Sequence, residues 1–127
     1  MTAFMDHVTY QVHHNDLEHP ELARFFSLFG FTEISALHDI LEKGWNVRWF
    51  ADAFDSEGSR TVIHLVGADS RVPLELSHFC VVGIGEGLYR CCAESEFVEH
   101  NSNLPVGSKL RRLWLCGPGG LRVEVRP

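Results

Sequence analysis

Four residues with metal-ligating side chains occupy corresponding places in the two halves of this 127-residue chain. His7 lies in Asp6-His7-Val8 and His78 in Ser77-His78-Phe79, while His64 lies in Val62-Ile63-His64-Leu65 and Glu124 in Arg122-Val123-Glu124-Val125. Imidazole and carboxylate donors together suit Zn, Ni, Co, Mn or Fe(II). Two histidines plus one carboxylate, with open positions, form the facial set of non-haem iron sites. The chemistry expected is one divalent metal ion held by His7, His78 and Glu124, with no organic cofactor. His64 is the candidate for a fourth ligand. The chain has eight histidines, and the rest carry less: His13, His14, His19 and His38 fall in or beside loops, and His100 on a strand without a matching partner.

Such ligands need strands to aim them, because alternate side chains of a strand point to opposite faces. Phe4 to Val12 reads as a strand whose packing face is Val8, Tyr10 and Val12, which leaves His7, Thr9 and Gln11 together on the other. On the last strand Leu121, Val123 and Val125 share one face, and Glu124 stands opposite with Arg122 and Arg126. Between these lie a loop from Asn15 to Pro20 and a helix carrying Leu22, Phe25, Phe26 and Phe29 at helical spacing, ended by Gly30. Strands follow at Phe31 to Leu37, Trp45 to Ala53 and Arg60 to Val66, with a turn at Asp55 to Ser59. The second half repeats the plan, with a strand at Leu76 to Val82, a helix at Gly85 to Ala93, and strands at Phe97 to His100, Leu110 to Cys116 and Leu121 to Val125. Gly117 to Gly120 (GPGG) forms the last hairpin turn. Each half therefore reads strand, helix, then three strands, which predicts an α+β protein of two βαβββ modules, about 1–70 and about 71–127.

The composition narrows the partners. The length suits a single domain, and 45% apolar with 22% charged residues is ordinary for a soluble globular protein. A formal charge of -6 argues against a nucleic-acid partner, since phosphate binding wants a basic face. The cluster Lys109, Arg111 and Arg112 is too small to overturn that. No signal-like leader and no membrane-length apolar run is read, and the four cysteines show no CxxC spacing. They read as reduced thiols in the cytoplasm.

These segments resemble the vicinal oxygen chelate superfamily, which includes glyoxalases, bleomycin- and fosfomycin-resistance proteins, methylmalonyl-CoA epimerase and extradiol dioxygenases. The carriers are Asp6-His7-Val8, Leu22 to Phe31 (LARFFSLFGF), Val62-Ile63-His64-Leu65, Ser77-His78-Phe79 and Leu115 to Val125 (LCGPGGLRVEV), and the likeness covers nearly the whole chain. The resemblance implies that the sheets of the two modules curl into an open barrel around the metal. It also implies a homodimer, often with metal ligands drawn from both subunits, and a small-molecule substrate bound through vicinal oxygens. Glyoxalase- or epimerase-like lyase or isomerase chemistry is expected, with Glu124 as proton-abstracting base and His64 as ligand or acid–base group. Metal-dependent ring cleavage with Fe(II) and non-catalytic drug sequestration are the alternatives.

The departures are specific. Glyoxalase I usually has a carboxylate where this chain has His64, an arginine where it has Gln11, and an asparagine where it has Ala68. Extradiol dioxygenases want a histidine near Leu104-Pro105-Val106-Gly107 and a tyrosine where Trp114 stands. Fosfomycin resistance would want a denser cationic pocket than Arg48, Arg111 and Arg112. A drug-binding groove could be lined by Trp45, Trp49, Phe50, Phe54 and Trp114. The substrate-side residues expected on these grounds are Gln11, Arg48, Phe50 and Trp114.

Overall fold

A computed structural model of the chain describes residues 7–52, 61–69, 78–99 and 111–127. The expected starts at Phe4, Arg60, Leu76 and Leu110, the turn at Asp55 to Ser59, Phe54, His100 and the segment Leu104 to Gly107 lie outside the described residues. The chain divides into two compact units, Met1–Val72 and Pro73–Pro127.

In the first unit β1 (His7–His13) leads through one helical turn, α1 (His14–Leu17), into α2 (Leu22–Ser27). β2 (Phe31–Ile34), a short α3 (His38–Glu42), β3 (Val47–Asp52) and β4 (Val62–Ala68) follow. The sheet runs β1-β4-β3-β2, with β1 parallel to β4 and the other neighbours antiparallel. Two expectations change here. The Asn15 to Pro20 stretch is not all loop, because the His13 Nδ1 atom accepts the Asn15 N–H at 3.1 Å and caps a helical turn. The second strand ends at Ile34 rather than Leu37, since Leu37 turns out to solvent, 61% exposed, and α3 begins behind it.

The core of this unit is aromatic. Phe25, Phe26, Phe29, Phe31 and Phe50 are buried together with Leu17, Leu22, Ile63 and Leu65. Phe26 stacks on Phe50 with centroids 4.1 Å apart, and Phe25 meets Phe29 edge-on at 5.3 Å. These are the offsets and edge contacts the ring quadrupole favours. Gly30, at a φ of 90°, lets the chain turn from the end of α2 into β2.

In the second unit β5 (Phe79–Val82), α4 (Glu86–Ala93), β6 (Leu113–Cys116) and β7 (Arg122–Arg126) form a sheet ordered β5-β7-β6. The parallel pairing of β5 with β7 and the antiparallel pairing of β6 with β7 mirror β1 with β4 and β3 with β4. The strand expected at Phe97 to His100 is reduced, among the described residues, to a single bridge between Val98 and Leu115. Its flanks still bond to β6: the Glu99 N–H donates to the Trp114 carbonyl and the Cys116 N–H to the Phe97 carbonyl, both at 2.8 Å. The GPGG turn is a 3₁₀ turn over Pro118–Gly120, closed by the Gly117 N–H on the Leu121 carbonyl at 2.7 Å. Leu115, Leu121, Val123, Val125 and Cys92 make the buried side of this unit. Both sheets are mixed, the class is α+β, and among the described residues no helix is long and apolar enough to cross a membrane.

Candidate functional site

Strand register settles which face each candidate occupies. In the first unit Thr9, His64 and Trp49 stand side by side across β1, β4 and β3. His7 belongs to the same face, two residues before Thr9. Ile63 and Leu65 turn the other way into the core. The His7 and His64 rings stack with centroids 4.5 Å apart and planes 11° from parallel, and Trp49 stacks on His64 at 3.8 Å. His64 thus sits in a three-ring stack. An imidazole lone pair lies in its ring plane, so two nearly parallel stacked rings aim past any common point. One of them must turn before both can bind a single ion.

The second unit builds the same row from Cys80, Glu124 and Trp114 across β5, β7 and β6. His78 precedes Cys80 as His7 precedes Thr9. Its ring meets Trp114 edge-on at 4.6 Å, and its Nε2 lies 3.8 Å from Glu124 Oε2. Two donors each about 2.0–2.2 Å from a shared ion are separated by at most about 4.3 Å. The spacing of His78 and Glu124, one imidazole and one carboxylate, therefore fits a divalent cation. Among the described residues no group of three or more His, Cys, Asp or Glu side chains is gathered at metal-binding distance.

Glu124 is only 4% exposed, the one buried charged residue among the core positions described. Burying a carboxylate is costly unless it is paired and hydrogen-bonded. Here Arg126 donates to Oε1 from Nε and Nη2 at 3.1 and 3.0 Å, and Arg112 Nη1 lies 3.6 Å from the same oxygen. Oε1 is held by arginines while Oε2 faces His78. The Cys80 thiol beside it is pushed above its ordinary range by burial and by the Glu124 charge.

The other expected site residues divide. Gln11 is exposed and pairs in register with Val66, on the His7 face. Trp114 shares the Glu124 face and lies beneath Arg122, whose guanidinium carbon is 4.2 Å from its ring centre. Arg48 and Phe50 require correction: their register with Leu65 and Ile63 puts them on the helix-covered face, opposite His64. Phe50 is fully buried against Phe26. Arg48 is bound to Glu33 at 2.7 and 2.9 Å and donates to the Leu17 carbonyl at 3.0 Å, so it ties β2, β3 and α1 together. That pair holds the Glu33 carboxyl below its ordinary range through the Arg48 hydrogen bond. The histidines set aside have local partners: His19 Nδ1 accepts the Glu21 N–H, His38 pairs with Glu42, and His14 lies between Asn46 and Asp69.

The sequence reading did not connect Trp49 with Trp114, or Thr9 with Cys80. A signal was present, since Trp49-Phe50-Ala51 and Trp114-Leu115-Cys116 are both indole-apolar-small triplets on the strand before the ligand strand. Unequal numbers of residues between those strands hide the match from linear spacing.

No protein-family model matches the sequence, and no curated protein sequence matches it. Solved structures do. A glyoxalase family protein from Bacillus anthracis superposes with a TM-score of 0.62 at 16% identity, covering 98% of this chain and 94% of that one. A structure described as a possible glyoxalase from Bacillus cereus gives 0.54 at 19% identity, with 98% of both chains covered.

Proposed function

The glyoxalase fold spans 98% of this chain, and from that premise we propose that the protein binds one divalent metal ion and acts on a small organic substrate through vicinal oxygens. The ligands proposed are His78 and Glu124, completed by His7 and His64. The observation that carries the reading is the register-matched pair of rows, Thr9-His64-Trp49 and Cys80-Glu124-Trp114, each with a histidine two residues before its first member. A repeat that keeps a ligand-type side chain at both positions of both units is hard to explain by packing, because the aliphatic and phenylalanine cores lie on the opposite faces.

When bound, the ion would polarise a carbonyl oxygen as a Lewis acid. Around it the chain's own groups divide the work. Glu124 Oε1 is fixed by Arg126, which orients Oε2 to hold the ion or take a proton. His64, clamped between His7 and Trp49, is either the further ligand or the acid–base group. Trp114 and Gln11 flank the substrate on these faces. The chemistry proposed is of the lyase or isomerase kind, in a homodimer with free thiols at Cys80, Cys91, Cys92 and Cys116 that suit a reducing compartment. The test is an assay of metal-loaded protein with and without oxygen. Turnover of 2-oxoaldehyde thiol adducts or of a 2-substituted acyl thioester without oxygen supports the reading. Oxygen-dependent ring cleavage of catechols with Fe(II) replaces it with the dioxygenase alternative.

One observation favours a second, non-catalytic reading. Trp45 is 54% exposed beside an open hollow of about 380 Å³ lined by His14, Gly44, Asn46, Val66 and Gly67. A flat apolar ligand stacking there would bind without metal. Ligand affinity lost in Trp45→Ala and indifferent to chelator would select it.

A further inference from the structure

The face that carries Glu124 also carries three arginines. Register places Arg122 and Arg126 on it with Glu124, and Arg112 enters it two residues before Trp114. Arg122 and Arg112 both lie over the Trp114 ring, at 4.2 and 5.7 Å, and Arg126 and Arg112 both reach Glu124 Oε1. In the first unit the register equivalents of Arg122 and Arg126 are Val62 and Val66, and Val47 stands two residues before Trp49 as Arg112 does before Trp114. The arginines are therefore no requirement of the fold, which builds the same sheet face from valines.

Their carboxylate partners use up two of the three. Arg122 is matched by Glu99 at 3.0 Å, and Arg126 by Glu124 at 3.0 Å. Among the described residues Arg112 has only the longer 3.6 Å approach to a carboxylate already bonded to Arg126, and no hydrogen-bond partner there meets its buried Nε. A buried donor left unmade is destabilising, and the Arg112 side chain is 26% exposed, so it remains within reach of solvent. Planar guanidinium groups bind carboxylate and phosphate through paired N–H donors, and the aromatic plane beneath them fixes their orientation.

We propose that this face of the second unit binds an oxyanionic substituent of the substrate, a carboxylate or phosphate, with Arg112 as the residue that reads it. The inference rests on the reading of this face as the substrate face, and it names the substrate class as an acid rather than a neutral aldehyde or catechol. Arg126 and Arg122 then act as positioning residues, the first holding Glu124 and the second holding Trp114.

Titration calorimetry of the metal-free protein at low ionic strength, with malonate and separately with inorganic phosphate, tests the proposal. Saturable binding is expected, weakened at least about ten-fold in Arg112→Leu and less in Arg112→Lys, which keeps the charge but loses the fork. Arg24→Leu, on α2 of the first unit, is the control and should bind as wild type does. The tighter of the two anions assigns carboxylate or phosphoryl recognition. Equal affinity in wild type and Arg112→Leu overturns the proposal. So does equal weakening in Arg24→Leu, or the absence of binding below about 10 mM. Metal plays no part in this titration, so its failure and a failure to bind metal are separate results.

Discussion

Around its proposed ligand pair the first unit sets Val47, Val62 and Val66, and the second sets Arg112, Arg122 and Arg126. On the opposite, helix-covered face the polarity reverses. There the first unit carries the Arg48–Glu33 ion pair, where the second has Leu113 and bridges through Val98. The ligand pairs differ as well. His7 and His64 are stacked and must part to share an ion, whereas His78 and Glu124 already stand at a chelating separation. One backbone plan thus supports two chemistries, because the register fixes faces while leaving each face's side chains open. The first unit has the aromatic core, and the second concentrates charge around a buried carboxylate.

The core contrast should be the largest to measure. Phe50 and Leu115 are register equivalents, each fully buried. Phe50→Ala removes the ring stacked on Phe26 and should lower unfolding free energy by about 3–5 kcal/mol in urea titrations, with Leu115→Ala nearer about 2–3. Equal losses would mean that the two cores bear equal weight. Arg126→Val gives the second unit the residue that the first has at Val66. With Glu124 left buried and Arg112 the one remaining arginine described near it, a loss of about 1–3 kcal/mol is expected by the same measurement. No loss would mean that the buried carboxylate is satisfied without Arg126.

Part of the acid sensitivity should map to the first unit. Glu33 has a lowered pKa in the fold, so the stability it contributes is present above the ordinary carboxylate range and is lost as pH falls through its folded pKa. Glu33→Val, the residue type found at Val98, should flatten the acid limb of a stability–pH profile by up to about 1 kcal/mol, since the pair is partly exposed. An unchanged limb would place the acid-sensitive group elsewhere. The smallest effect separates two adjacent thiols. Burial pushes Cys92 up to about 11, while Cys91 is exposed, so a thiol reagent at neutral pH should label Cys91 and spare Cys92 in native protein.

Much of this was legible in the sequence. Alternation along His7 to Val12 and Leu121 to Val125 already separates a packing face from a ligand face, and GPGG marks the final turn. What escaped did so for physical reasons. Ile34 and Leu37 extend an apolar run that looks like strand, yet α3 begins behind Leu37, a departure that no periodicity in five residues can announce. Arg48 and Phe50 were expected at the substrate from their chemistry, but a side chain's face depends on register with β4, which pattern alone does not give. Arg122 and Arg126 share the Glu124 face by alternation alone, but Arg112 arrives from just before β6, so its joining them is a fact of pairing rather than of spacing.

The central claim is tested most directly by equilibrium dialysis of Zn(II) or Co(II) against the wild-type chain and its Glu124→Gln and His64→Ala variants. Wild type should bind one ion per chain. Glu124→Gln, which breaks the pair already at chelating distance, should lose affinity by at least about a hundred-fold, and His64→Ala by less. A wild-type chain that binds no ion, or binds it as tightly without Glu124, would contradict the account.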